Sequence, residues 1–187
     1  MSGSERYEAD APGFARRRDT AAPITIRAAD PEDEAALTEL EEEAWLPHVS
    51  PAVYRARPFF ETTRPEEVLV ASLDGRIVGY VVVRPPTPLL SNAHVLAVEA
   101  LGVSSTARRQ GVASRLLDAV EDVAADRKLQ RLTLRVLAVN GPARELYGKQ
   151  GYLTEGVLRG EFRLPVGPAG TVLPVDDVLM AKTIGAE

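Results

Sequence analysis

The amino-acid sequence predicts an α/β (α+β) domain with a mixed, mostly antiparallel sheet of six to seven strands and about four flanking helices. Strand-like and helix-like stretches follow one another in the order β-α-α-β-β-β-α-β-α-β-β. This order is typical of a mixed sheet with helices on its faces, and of neither a doubly wound parallel sheet nor a barrel. The length of 187 residues, of which 45% are hydrophobic, suits one domain with a substantial core.

The first 22 residues differ in composition from the rest of the chain. The segment contains four acids and four arginines and almost no apolar periodicity, so it cannot offset the entropy lost on ordering. Residues 1–22 are therefore predicted to be a disordered tail, and residues 23–187 the folded domain. The run Arg16-Arg17-Arg18 is interpreted as solvated charge, with contact to an anionic surface or a neighbouring subunit as the alternative.

The first half of the domain is predicted to hold three consecutive strands after its first helices. The segment "ITIRAA" alternates like a short strand, and Asp30 followed by Pro31 predicts the start of a helix. The segment "SPAVYRARPFFETT" predicts a second, shorter helix that breaks at Pro58. Asp74-Gly75 between "EVLVASL" and "RIVGYVVV" predicts a tight hairpin, and "HVLAVEALGVSS" predicts a third long strand.

The second half is predicted to alternate helices and strands and to close with two strands. Apolar residues at three- and four-residue spacing, such as Val112, Leu116 and Val120, predict a helix over residues 111–127. The segment "RLTLRVLAV" predicts a strand, and Gly141-Pro142 begins a further helix that Gly151 ends in a left-handed conformation. The segments "YLTEGVLRGEFRL" and "VDDVLMAKTI" predict the closing strands.

Composition narrows the classes of function. The chain has no cysteine, which excludes disulfides, thiolate metal sites and a cysteine nucleophile. The chain has 27 Asp and Glu residues but only 22 Lys and Arg residues. This acidic balance argues against nucleic acid as the main partner. No segment approaches the ~18 apolar residues of a membrane span, and the N-terminus lacks the apolar region of a secretory signal. We therefore expect a cytoplasmic protein that contains no metal. We also expect it to bind neither nucleic acid nor membrane.

The stretch "RRQGVA", from Arg108 to Ala113, lies between the third long strand and the helix over residues 111–127. The first N–H groups of a helix lack intrahelical partners, and the helix dipole adds positive charge there. Gly111 allows close approach of a ligand, while Arg108 and Arg109 supply charge-assisted hydrogen bonds. This arrangement predicts a phosphate or pyrophosphate site. The alternative is a glycine-assisted helix start with solvated arginines.

The order of elements and three motifs together resemble the GNAT family of N-acetyltransferases. Arg108-x-x-Gly111-x-Ala113 after a long strand is similar to the family's pyrophosphate loop for acyl-coenzyme A, with alanine where glycine is commoner. The closing strand "DDVLMAK" is also similar, and the resemblance extends over residues 24–184. The remaining motif, "NGPARELYGKQGY", resembles a family segment through Asn140, Ala143, Leu146, Tyr147, Gly151 and Tyr152.

The resemblance implies acetyl-coenzyme A as cosubstrate, bound where the strand that ends at Ser104 and the strand that ends at Asn140 splay apart. The pantetheine is expected to pair with backbone groups of the first strand, like an added strand. Asn140 either hydrogen-bonds the pantetheine or only stabilises its own turn. The expected cofactor-binding residues are Leu101, Gly102, Val103, Arg108, Arg109, Gln110, Gly111, Val112, Ala113, Ser114, Asn140, Ala143 and Tyr147.

The resemblance also implies direct transfer of an acetyl group to a primary amine in a ternary complex. Tyr147 matches a family tyrosine near the thioester sulfur and is expected to protonate the departing thiolate. Glu99, an acid in an apolar strand, is the candidate general base, and strand alternation places it on the face of Leu101 and Val103. A structural ion pair is an equal alternative for Glu99. His94, His48 or a chain of waters are the other candidates for the base.

The acceptor amine is expected near the first two helices and the last hairpin, since these regions shape the acceptor site in the family. Acids at the mouth would attract a cationic amine, but peptide N-termini, lysines and small amines all remain candidates. A homodimer is one possible assembly. The competing hypothesis is a GNAT-like domain that binds acyl-coenzyme A without catalysis, as a sensor or interaction module. The acceptor regions contain Glu41, Glu42, Glu43, Trp45, Tyr54, Phe59, Phe60 and the loop at 165–174.

Overall fold

One seven-stranded sheet forms the centre of the protein. The computed structural model describes residues 23–44, 57–165 and 171–185. The strands are β1 (Thr25–Ala28), β2 (Val68–Leu73), β3 (Arg76–Arg84), β4 (Val95–Val103), β5 (Arg131–Leu137), β6 (Leu153–Leu164) and β7 (Leu173–Thr183). Their order in the sheet is β1-β2-β3-β4-β5-β7-β6, and only the β4–β5 pair is parallel. The predicted mixed, mostly antiparallel sheet is confirmed.

Three α-helices lie within the described residues, namely α1 (Glu34–Ala44), α2 (Val112–Asp126) and α3 (Gly141–Lys149). The additional short helix predicted over residues 50–63 falls largely on residues outside the described part. Its described end contains a single 3-10 turn at Phe59–Glu61. The predicted tail at residues 1–22 also lies outside the described residues.

The helix cap at Asp30 and the hairpin turn at Asp74-Gly75 form at the positions that the sequence predicted. The Asp30 carboxylate accepts a hydrogen bond from the Glu32 N–H, and the Asp33 carboxylate accepts one from the Asp30 N–H at 2.8 Å. This reciprocal cap opens a 3-10 turn at Pro31–Asp33 that continues into α1. Asp74 and Gly75 both have positive φ, as a two-residue type I′ hairpin requires.

The sheet buries a hydrophobic core on each face. Helices α2 and α3 cover one face, where Leu116 and Val120 pack on the sheet, and α1 covers part of the other through Leu37 and Leu40. Helix α2 approaches β3 very closely, because a Cβ on Gly79 would lie 2.8 Å from Val112 Cγ1. The absence of a side chain at Gly79 thus allows the first turn of α2 to rest directly on the sheet.

A β-bulge interrupts β4 at Glu99. The pairing of β3 with β4 passes from Val82 opposite Ala100 to Val83 opposite Val98, which leaves Glu99 as an extra residue. The parallel pairing of β4 with β5 also ends there, at Val98 opposite Leu134. The two strands separate beyond this point and leave a cleft between their ends.

The bulge also changes which residues of β4 share a face. Val98 packs in the core beneath α2, and the next residues to do so are Leu101 and Val103. Simple alternation therefore does not continue across Glu99, whose side chain is exposed. The predicted common face of Glu99, Leu101 and Val103 was based on simple alternation, which an extra residue interrupts here, so that placement stays a prediction.

Candidate active site

A cavity of about 660 Å³ opens where β4 and β5 separate. Its walls are the second half of β4, the loop that leads into α2, the end of β5 and the start of α3. Glu99 and all but one of the residues predicted to bind the cofactor line this cavity. The exception is Gln110, whose side-chain amide donates to the Thr106 carbonyl oxygen at 3.0 Å.

One end of the cavity is the N-terminus of α2. Gly111 is its N-cap residue, with a φ of 84°, and as a glycine it provides no side-chain cap. The N–H groups of Val112, Ala113 and Ser114 belong to the first helical turn, so they lack intrahelical acceptors. Arg108 and Arg109 line the same end. Exposed N–H groups, the helix dipole and two guanidinium groups together fit a phosphate or pyrophosphate.

Glu43 ties the end of α1 to the loop that precedes α2. Its carboxylate accepts hydrogen bonds from the Ser105 N–H at 2.5 Å and from the Ser104 hydroxyl at 3.3 Å. Hydrogen bonding to the side chain and backbone of Ser105 lowers the pKa of the Glu43 carboxyl. This contact could not be predicted, because Glu43 is one of three consecutive glutamates and its partners lie 61 and 62 residues away in the sequence.

Tyr147 on α3 lines the cavity and is only 8% exposed. Burial raises the pKa of Tyr147 to about 12. Its hydroxyl makes no hydrogen bond with any residue that the structure describes. The hydroxyl is therefore protonated at neutral pH and available as a hydrogen-bond donor.

Asn140 caps α3. Its side-chain oxygen accepts a hydrogen bond from the Ala143 N–H at 3.3 Å. The structure thus shows the turn-stabilising role for Asn140, and its contact with pantetheine stays a prediction.

Glu99 lies at the point where β4 and β5 begin to separate. It lines the cavity and makes no ion pair or hydrogen bond with the described residues. The structural ion pair considered for Glu99 is thus not formed within this part of the chain. His94 precedes β4, at the end of the strand away from the cavity, and does not line it. His48 lies outside the described residues.

The sequence analysis missed a charged cluster beside Glu99. Arg135 on β5 also lines the cavity. Its Nε donates to the Asp177 carboxylate at 2.5 Å, and its terminal nitrogen donates to Glu161 at 3.2 Å. Asp177 is 2% exposed. The available signal was the presence of charged residues inside two strands, two arginines in "RLTLRVL" and two aspartates in "DDVLMA".

Other residues considered for the acceptor site have different positions. Phe59 is a core residue, with its ring edge-on to Tyr80 at a centroid distance of 5.1 Å. Trp45, Tyr54 and residues 166–170 lie outside the described part. Within the described ranges, no three His, Cys, Asp or Glu side chains are grouped so as to hold a metal ion. No helix there has the length and apolar character needed to cross a bilayer.

Comparison with known proteins connects this fold to a family. Residues 34–152 match the model of the Acetyltransferase (GNAT) family. The uncharacterized N-acetyltransferase YhfO of Bacillus subtilis (strain 168) is 32% identical over 85 residues, which are 46% of this chain and 57% of that protein.

Solved structures share the fold at low sequence identity. The ribosomal-protein-alanine N-acetyltransferase of Brucella melitensis has a TM-score of 0.65 at 24% identity, over 86% of this chain and 99% of that one. The protein yncA of Salmonella typhimurium, solved with its cofactor acetyl-coenzyme A, has a TM-score of 0.67 at 19% identity, over 89% and 96%. Since the family model matches well over half of the sequence, the chain belongs to the acetyltransferase (GNAT) family.

Proposed function

We propose that the protein transfers an acetyl group from acetyl-coenzyme A to a primary amine, directly, within a ternary complex. The observation that carries this proposal is the composition of the cavity between β4 and β5. One cavity contains the N-terminus of α2 with two arginines, a protonated tyrosine hydroxyl and a carboxylate that has no partner among the described residues. These are the groups needed to bind a pyrophosphate, to assist a departing sulfur and to accept a proton.

Two features of the cavity fit acetyl-coenzyme A, which supplies an acetyl group activated as a thioester. The N-terminus of α2, with Arg108 and Arg109, would hold the pyrophosphate. Strand β4 continues to Val103, but its pairing with β5 ends at Val98. The edge of β4 that faces the cavity therefore has backbone groups without a strand partner, and the pantetheine amides would pair with them near Leu101 and Val103.

Glu99 is proposed as the general base. An alkylammonium has a pKa near ~10.4 and an α-ammonium near ~8, so the acceptor must lose a proton before its nitrogen can attack. Glu99 lines the cavity and has no other partner among the described residues. Its carboxylate is thus able to take that proton directly or through a water.

Tyr147 is proposed to donate a hydrogen bond to the departing sulfur. Burial raises its pKa to about 12, which keeps the hydroxyl protonated and disfavours complete transfer of its proton to the thiolate. A hydrogen bond would stabilise the negative charge on the sulfur without full transfer. The proposed role is therefore electrostatic, which is a weaker form of the proton donation that the sequence suggested.

Steady-state kinetics together with intact-protein mass spectrometry tests direct transfer. Because both substrates must be bound together, double-reciprocal plots at several fixed amine concentrations should intersect. Protein incubated with acetyl-coenzyme A alone should gain no acetyl mass. Parallel plots together with an acetylated protein would show a covalent intermediate and contradict direct transfer. Binding of acetyl-coenzyme A without any amine-dependent thiol release would instead support the non-catalytic binding module.

A further inference from the structure

Glu99 on β4 and Arg135 on β5 lie at equivalent positions, at the point where the two strands begin to separate. The last registered pair of β4 and β5 is Val98 opposite Leu134, so Glu99 and Arg135 are the next residue on each strand. Both line the cavity. Opposite charges on neighbouring strands attract, yet these two side chains do not form an ion pair.

The partners of Arg135 explain this separation. Asp177 and Glu161 accept hydrogen bonds from two different nitrogens of the guanidinium, and both acids lie on the side of β5 away from β4. Hydrogen bonding to Asp177 raises the pKa of Arg135, so the guanidinium stays charged throughout the range of enzyme assays. The sheet order makes this contact possible, because β7 lies between β5 and β6.

Stability alone does not account for a buried acid at position 177. The Arg135 side chain is 53% exposed and that of Asp177 3% exposed, so the desolvation cost of this ion pair falls mainly on the aspartate, where an apolar residue of similar volume often stabilises a fold equally well. The adjacent acid, Asp176, forms an ion pair with the exposed Arg159, which joins β7 to β6 rather than to β5. Asp176 does not line the cavity, so the Arg159–Asp176 pair is a natural control for the Arg135–Asp177 pair.

A guanidinium beside Glu99 would impair its proposed role. It would occupy the carboxylate oxygens and favour the ionised form, which makes the carboxylate a weaker base. Arg135 lies on β5, the strand adjacent to β4, and it is the charged residue of β5 that lines the cavity with Glu99. The titratable and charged groups that line the cavity with Glu99 are Tyr80 from β3, Arg135 from β5, Tyr147 from α3, and Arg108 and Arg109 from the loop before α2.

We infer that Asp177 is a positioning residue that holds Arg135 against β7 and thereby keeps Glu99 free to accept a proton. This inference rests on the proposed role of Glu99 as general base. Glu161 assists from the exposed side of the same guanidinium. Neither acid is required to touch the substrates.

The test compares Asp177→Asn with the double variant Arg135→Gln/Asp177→Asn. Loss of the Asp177 charge should release Arg135 toward Glu99, lower kcat by about tenfold or more, and move the acid limb of the pH profile to lower pH. The KM for acetyl-coenzyme A should stay within about twofold of the wild-type value, since the α2 end of the cavity is unchanged. Removing Arg135 as well should return kcat to within about threefold of wild type. Asp176→Asn is the control and should retain wild-type kinetics.

Two further variants keep the test decisive. Glu161→Gln changes an exposed partner of Arg135 and should give a smaller shift in the same direction, without the folding risk of a buried site. Glu99→Gln is assayed in parallel. If Glu99→Gln is impaired while folded Asp177→Asn behaves as wild type, or if the double variant is no better than Asp177→Asn, the inference about Asp177 is overturned. Wild-type rates in Glu99→Gln would overturn the assignment of the base and this inference with it.

Discussion

The rings of Tyr147 and Tyr152 meet edge to face, with centroids 5.9 Å apart and planes inclined by 62°. Burial raises the pKa of both hydroxyls, but their surroundings differ. Tyr147 lines the cavity, whereas the Tyr152 hydroxyl is fully buried without a hydrogen-bond partner among the described residues. Two tyrosines of one sequence motif are thus expected to have separate roles, one in turnover and one in packing.

Tyr147→Phe should lower kcat by roughly 10–100-fold, the low end of what proton donors contribute, because the hydroxyl stabilises charge without full proton transfer. The affinity for coenzyme A should change little, since the ring and its packing remain. Steady-state turnover and calorimetric binding measure the two effects. Because Tyr147 has a pKa of about 12, its ionisation should produce no alkaline limb in wild-type activity below about pH 10. Unchanged kcat in the variant would leave Tyr147 with a packing role only.

Tyr152→Phe should leave the free energy of unfolding unchanged or raise it. The variant removes a buried hydroxyl that has no partner within the described residues and keeps the ring that packs on Tyr147. Denaturant unfolding measures the effect. A loss of more than about 1 kcal/mol would mean that the hydroxyl has a hydrogen-bond partner, such as an ordered water.

Gly111→Ala should weaken the binding of acetyl-coenzyme A by about tenfold or more, equivalent to 1.4 kcal/mol. A Cβ at Gly111 meets no protein atom within 4 Å, so the added methyl group would occupy space proposed for the pyrophosphate. The positive φ of 84° adds a backbone cost of about 1–2 kcal/mol in stability. Calorimetry and thermal unfolding separate these two effects.

Gly75→Ala is the matched control for Gly111→Ala. Gly75 has a φ of 75° and equally open surroundings, but it lies in the β2–β3 hairpin and does not line the cavity. It should lose similar stability and retain full affinity. If both variants bind acetyl-coenzyme A as the wild type does, the N-terminus of α2 is not the pyrophosphate site.

Asp33→Asn should lower the free energy of unfolding at neutral pH by about 1.5–3 kcal/mol, the range for hydrogen bonds to charged groups. Asp33 accepts two hydrogen bonds from Arg27, at 2.6 and 2.7 Å, and these lower the pKa of the Asp33 carboxyl. A lowered pKa in the folded state stabilises the protein above the unfolded value of ~3.9 and is lost as the pH falls through the folded value. The difference between wild type and variant should therefore be constant from neutral pH to about pH 5 and disappear in strong acid.

Urea unfolding at several pH values measures this dependence. Glu145→Gln is the control, because its ion pair with Lys149 lies on an exposed helix surface and should contribute no measurable stability. A wild-type to Asp33→Asn difference that grows as the pH falls would contradict the assigned direction.

Signals confined to a few neighbouring residues made much of the fold predictable. The Asp74-Gly75 turn, the Asp30 cap and the apolar stripe of α2 each specify local structure through backbone geometry or periodicity. The cavity end at which we propose that the pyrophosphate binds was recognisable for the same reason. The end of β4, Gly111 with its positive φ and the start of α2 lie within ten residues of one another in the sequence.

The features that the sequence did not predict depend on distant contacts. The insertion of β7 between β5 and β6 is determined by strand pairing across the whole domain. The bulge at Glu99 leaves no trace in an almost entirely apolar strand, where a shift of one residue still buries apolar side chains. Arg135 and Asp177 are 42 residues apart, and neither strand pattern indicates that they meet.

Acetyl transfer is measured most directly as N-acetylated amine formed per coenzyme A thiol released, with peptides bearing free N-termini, lysine peptides, amino acids and polyamines as acceptors. We expect at least one class to give amine-dependent thiol release with one acetylated amine per thiol. Tyr147→Phe should lower both signals together, while Gly75→Ala should leave both unchanged. Acetyl-coenzyme A that binds in the cavity without amine-dependent release for any class, or thiol release without acetylated amine, would contradict the proposed acetyltransferase activity.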